Sequence, residues 1–137
     1  MHRVLTGRIL FLAMTLITAV VVAAADRVQP GEWETTLTGA AARPLVTRYC
    51  ITPAEAKSMS GDLAMLRKYL EDSTAAKTKG RCVVKNVTLD GNRTTVTIVC
   101  GKSEVIGTTT YHGDHYESSS SDGTTVVGKR LGVCPAK

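Results

Sequence analysis

Apolar and polar residues alternate along most of the chain beyond residue 30, with a period near two. The clearest case is residues 82–100, CVVKNVTLDGNRTTVTIVC. Val83, Val84, Val87 and Leu89 precede an Asp90-Gly91-Asn92 turn. Val96, Ile98 and Val99 follow it, among Thr94, Thr95 and Thr97. β-Branched residues suit a pleated, half-buried surface, and Asp-Gly and Gly-Asn supply the positive φ of tight hairpins. Pairing Cys82 with Cys100 places them equidistant from Gly91. A register shifted by one residue would gather Val87, Leu89, Val96 and Ile98 on one face. A β-bulge near the turn would reconcile the two registers.

The same period predicts strands over residues 32–38 (EWETTLT, with Trp33 as a core anchor) and 44–51 (PLVTRYCI). It predicts further strands over 103–111, 115–120 and 124–130. Turn signals separate the late strands at Gly101-Lys102, His112-Gly113-Asp114 and Asp122-Gly123. The period changes once. Thr52-Pro53-Ala54-Glu55 has the form of a helix start, with a capping Thr, Pro at the first helical position and a Glu to close the box. The segment Ser58-Met59-Ser60-Gly61 interrupts that helix. Asp62 caps a second piece, with Leu63, Leu66 and Leu70 at helical spacing. Residues 71–81 are polar, contain Gly80, and are expected to form a loop. The expected fold is therefore mainly β: an antiparallel meander forming a curved sheet or partly closed barrel, with a short helical insert.

The first 25 residues break the pattern. Arg3 and Arg8 precede an almost unbroken apolar run over residues 9–22, and Ala23-Ala24-Ala25 offers small residues for cleavage before Asp26. This is the pattern of an export signal, and the run is shorter than the ~20 residues of a spanning helix. The expected organisation is a signal peptide over 1–25 and a single β-rich domain over 26–137, in the periplasm or secreted, with no stable membrane span after cleavage. The formal net charge of +5 includes two leader arginines. The remainder is only mildly basic, and nucleic acid is not an expected partner. Lys77, Lys79, Arg81 and Lys85 read as a solvated loop and strand edge.

All four cysteines, Cys50, Cys82, Cys100 and Cys134, lie beyond the leader. An even number in an oxidising compartment reads as two disulfides, with three pairings possible. The nested pairing is favoured, with Cys82–Cys100 stapling the hairpin inside Cys50–Cys134. No CxxC-like knuckle supports zinc, and nothing marks a lone reactive thiol.

Candidate chemistry is sparse. His112, Asp114 and His115 share one turn and form the only weak metal candidates. Glu32 and Glu34 share a strand face, which alternation assigns to solvent. No nucleophile motif or phosphate-cradling glycine loop occurs. Asn86-Val87-Thr88 and Asn92-Arg93-Thr94 match the glycosylation pattern. No catalytic residue and no cofactor are assigned.

With these residues in view, the chain resembles a family of bacterial exported proteins known as domain of unknown function 3617. The resemblance rests on Pro30-Gly31-Glu32-Trp33-Glu34, Cys50-Ile51-Thr52-Pro53, Cys82, Cys100-Gly101, Tyr111-His112-Gly113-Asp114-His115-Tyr116 and Arg130-Leu131-Gly132-Val133-Cys134. Family members often carry methionine-rich strands; beyond the leader only Met59 and Met65 occur here. The resemblance implies a periplasmic or envelope location and carries no activity. The leading functional expectation is a non-catalytic binding or interaction domain with a small-molecule, lipid-like or protein partner. The alternatives are a metal-binding protein or metal-dependent enzyme built on the His112–His115 turn, and a secreted enzyme inhibitor presenting residues 71–81.

Overall fold

The structure, a computed structural model, describes residues 26–39 and 43–136. The expected leader lies outside the described residues. Among the described residues seven strands form one antiparallel sheet: β1 (Gly31–Thr38), β2 (Leu45–Ile51), β3 (Cys82–Asp90), β4 (Arg93–Cys100), β5 (Ser103–Tyr111), β6 (His115–Ser120) and β7 (Thr125–Gly132). Their spatial order is β2-β1-β7-β6-β5-β4-β3. The meander from β3 to β7 is thus as expected, and β1 inserts beside β7 to bring the β1–β2 hairpin into the same sheet. The sheet stays open. Neighbours alternate in direction and there are seven, so the two edges, β2 and β3, run the same way.

The central hairpin uses both registers that the sequence offers. Near the cysteines Cys82 faces Cys100 and Val84 faces Ile98, whereas near the turn Val87 faces Val96 and Leu89 faces Thr94. The bulge that absorbs the difference sits at Lys85, in mid-strand and away from the turn. It lets the sulfurs meet while Val87 turns inward and becomes buried. Gly91 opens the two-residue turn at φ +57°, a value that costs glycine little.

Two helices join the edges: α1 (Pro53–Ser60) and α2 (Leu63–Thr78). Thr52 caps α1 as the sequence predicts, with Glu55 N donating to Thr52 Oγ1 (3.2 Å) and Thr52 N donating to Glu55 Oε2 (2.8 Å). Asp62 caps α2 through Met65 N (2.9 Å). The expected loop over residues 71–81 is instead mostly helix, and the insert is longer than expected. Arg67 pairs with Glu71 at 2.8 Å and Lys68 with Asp72 at 2.9 Å, one turn apart. Such spacing supports a helix by a few tenths of a kcal/mol per pair. Ala75 and Ala76 continue it, and Lys79 in the left-handed region (φ +52°) ends it before Gly80. The topology accounts for the length. The chain leaves the sheet at Ile51 on one edge and re-enters at Cys82 on the other, and a 16-residue helix covers about 24 Å.

The buried apolar core is small: Val28, Trp33, Ile51 and Ala56, with Met59, Tyr111 and Tyr116 packed against it. Leu66 of α2 and Val87 of β3 are also buried. Trp33 is fully enclosed, as expected, and its indole Nε1 donates to Gln29 O (3.0 Å). Both disulfides follow the nested pairing, Cys50–Cys134 and Cys82–Cys100, separated by 84 and 18 residues.

The long bridge is expected to matter more. Chain entropy assigns about 3 kcal/mol to the hairpin bridge and about 4.5 kcal/mol to the long one. Urea denaturation of Cys82→Ala/Cys100→Ala and Cys50→Ala/Cys134→Ala double variants checks that order. Equal losses would show that the bridges do not act through the unfolded chain.

Candidate binding surface

The three metal candidates are brought together. Gly113 takes φ +83° and His112 N donates to His115 O (2.9 Å), folding the turn so that the two imidazoles stack with centroids 4.5 Å apart and planes 15° from parallel. His115 Nδ1 lies 2.7 Å from Asp114 Oδ1. That hydrogen bond holds the Asp114 carboxyl below its ordinary range. Ring nitrogens direct their lone pairs within the ring plane, and two stacked planes do not converge on a point between them. Among the described residues no group of three or more His, Cys, Asp or Glu is placed to hold a metal ion.

The turn also has a structural task. Val28 bridges to Gly113, Gln29 N donates to Gly113 O (3.1 Å), and Gly113 N donates to Arg27 O (3.2 Å). Asn92 Nδ2 donates to Tyr111 O (2.7 Å), and Arg130 N donates to Asp114 O (2.8 Å). The His112–His115 corner therefore clasps the segment leading into β1. Glu34 pairs with Arg48 on the solvent face at 2.8 Å, where alternation places it.

One feature escaped the sequence reading. All four tyrosines and the single tryptophan of the chain meet on the inner face of the sheet. Tyr116 lies 5.7 Å from Trp33 and 5.8 Å from Tyr111, ring centroid to centroid. Its hydroxyl meets that of Tyr49 at 3.0 Å, across the intervening strands β7 and β1. Tyr69 approaches from α2, close enough to Tyr111 to raise its phenol and to Tyr49 to be raised by it. Gly128 makes room: it sits opposite Tyr116, and a Cβ there would fall 2.1 Å from the tyrosine ring. Glycine inside the run Val126-Val127-Gly128-Lys129 is the sequence signal, because such a glycine often marks close approach by another group. Which group approaches cannot be read without the strand order.

Burial, with the Tyr49 hydrogen bond second, pushes the Tyr116 phenol well above its ordinary range, and burial pushes Tyr111 up to about 12. Burial raises Tyr49 and Tyr69 as well. Two members of the cluster, Tyr49 and Tyr69, line an open cleft of about 240 Å³ between β2 and the helices, together with Ile51, Met59, Leu70 and Lys77. The opposite face of the sheet is hydroxyl-rich. Thr88, Thr95, Thr108, Ser119, Thr125 and Thr38 stand in register across six adjacent strands.

Two outcomes follow from the cluster. Gly128→Ala is expected to displace Tyr116 and cost about 1–3 kcal/mol, the range for overpacking; an unchanged urea midpoint would show that the ring has room to move. Tyr111 keeps its proton in the folded state up to about 12, whereas an unfolded chain releases it near 10. Between these values the unfolded state holds fewer protons, so stability is full below pH 10 and falls as pH rises through the window. Tyr111→Phe is expected to flatten that fall, as measured by denaturation midpoints across the window.

Among curated proteins and solved structures, none matches this chain. A family model does, and its span, residues 28–134, runs from the bridge at Val28 to the last cysteine. The chain belongs to the family described as Protein of unknown function (DUF3617).

Proposed function

We propose that the protein is a non-catalytic binding or interaction domain that works outside the cytosol, in the periplasm or as a secreted protein. The observation that carries the binding reading is the open cleft of about 240 Å³ beside the tyrosine cluster. It combines apolar and aromatic walls with a few polar tips, as ligand-holding clefts do. The address is supported by the leader pattern of residues 1–25 and by two cysteine pairs of a kind that persist in oxidising compartments. The inhibitor alternative loses its presenting loop, because residues up to Thr78 are helical.

Protein recovered from its native source is expected to begin at Asp26 and to contain no free thiol. Its native mass spectrum is expected to retain a noncovalent companion, or crosslinking to recover a neighbouring protein. A bare mass without any crosslinked partner would sink the binding reading. Four free thiols would sink the address.

A further inference from the structure

The two edges of the sheet are treated differently. β3 is bulged at Lys85, Lys85 is engaged by Glu104 at 2.6 Å, and Arg67 of α2 reaches within 3.5 Å of the Lys85 carbonyl. Bulges, edge lysines and covering elements are the devices by which sheets prevent unwanted strand addition. β2 has no bulge and no lysine, and only its end is approached, where Cys134 bonds Cys50 and its Sγ lies 4.0 Å from the Ile51 carbonyl oxygen. It pairs with β1 in unbroken register from Gly31–Ile51 to Leu37–Leu45. It contains no Pro and no Lys, and its one charge, Arg48, is turned back onto Glu34. Every residue of β2 except Ile51 is exposed, including Leu45 (56%), Val46 (54%) and Tyr49 (39%). Its outer row of backbone amides and carbonyls has no strand beside it among the described residues. The cleft under α2 opens against this same strand through Tyr49 and Ile51, with Lys77 on its helical wall. Lys77 makes no salt bridge among the described residues.

We propose that the free edge of β2 receives an extended polypeptide segment as an added strand. Alternate apolar side chains of that segment enter the cleft, and a carboxylate meets Lys77. The inference rests on the binding reading above and names the partner class. Strand addition divides the work: main-chain hydrogen bonds supply affinity, and pockets for every second side chain supply specificity. A second copy is a poorer occupant, because centred antiparallel pairing of two β2 strands sets Arg48 against Arg48, and like charges directly opposite are destabilising.

The probe is a pool of random heptapeptides with free carboxyl termini, offered to the full oxidised chain. Retained peptides are identified by mass and resynthesised. They are expected to alternate apolar residues and to carry an acid, and to slow hydrogen exchange at amides 45–51. Leu45→Lys is expected to weaken binding about tenfold or more, since an edge lysine blocks pairing, while Val83→Lys on the other edge leaves it unchanged. Both positions are exposed, and intact disulfides with an unchanged circular dichroism spectrum confirm folding. N-methylation of alternate peptide bonds in the probe is expected to abolish binding, and Lys77→Gln to weaken it severalfold. Retention of no peptide, or binding indifferent to Leu45→Lys and to N-methylation, overturns the proposal. So does protection of residues 45–51 that rises with protein concentration alone, which would mark a second copy as the occupant. A small molecule retained in the native mass spectrum without peptide binding overturns strand addition and leaves the binding reading standing.

Discussion

The structure depends on the pairing of β1 with β7. Every other strand pair is a hairpin between sequence neighbours, but this one sets Glu32 opposite Gly132. Closing a loop of that length costs about 4 kcal/mol of chain entropy. Several features converge on the junction. Cys50–Cys134 ties the end of β2 to the tail beyond β7. Arg130 Nε donates to Pro30 O at 2.8 Å. Gly31 lies at φ +143°, where a Cβ would fall 2.2 Å from the Gly132 carbonyl oxygen, so only glycine fits there. With this pairing the five-strand meander and the β1–β2 hairpin share one sheet and one inner face.

That inner face is held by an unusual mixture. Few aliphatic side chains are buried, and the covering helices contribute chiefly Ala56 and Leu66. The rest is aromatic area and paired hydroxyls: Thr35 with Thr47 at 2.7 Å, Thr109 with Ser118 at 3.0 Å, and Tyr49 with Tyr116 at 3.0 Å. A buried hydroxyl is tolerated when it finds a partner, as Thr35 does in Thr47, whereas the buried Thr94 Oγ1 has none among the described residues. A tyrosine also brings large apolar area together with its polar tip. A modest core of this kind gives the covalent bridges more weight, as is usual in small domains.

Much of this was legible in the sequence because it is local. The β4 strand, the Thr52 cap, the hairpin bridge and the conflict between two registers all depend on residues within a few positions of one another. The sequence points to a bulge near the turn, but it lies at Lys85, where the conflict between sulfur pairing and apolar facing is taken up at a lysine that can turn to solvent. The polarity of residues 71–81 points to a loop, yet residues up to Thr78 are helical. The charges there are spaced for a helix, and only the distance between Ile51 and Cys82 in the finished sheet requires one. The tyrosine cluster was illegible for a similar reason. Period two shows that Tyr49, Tyr111 and Tyr116 each face one side of a strand, but which side is shared depends on the order of strands and on the missing side chain at Gly128.

The open seam follows from the same topology. Seven strands in strict alternation leave β2 and β3 running in the same direction, so closing the barrel would require a parallel pair, slightly weaker per residue than the antiparallel pairs elsewhere. The chain between those edges is also the chain that would have to leave the gap. Instead it folds into α1 and α2, which lie against the inner face and bring Tyr69 and Leu70 towards β2. The bulge at Lys85 turns β3 away from regular pairing. The openness is thus built in by strand parity and by the route of one connection, and it leaves a regular strand edge beside an aromatic cleft.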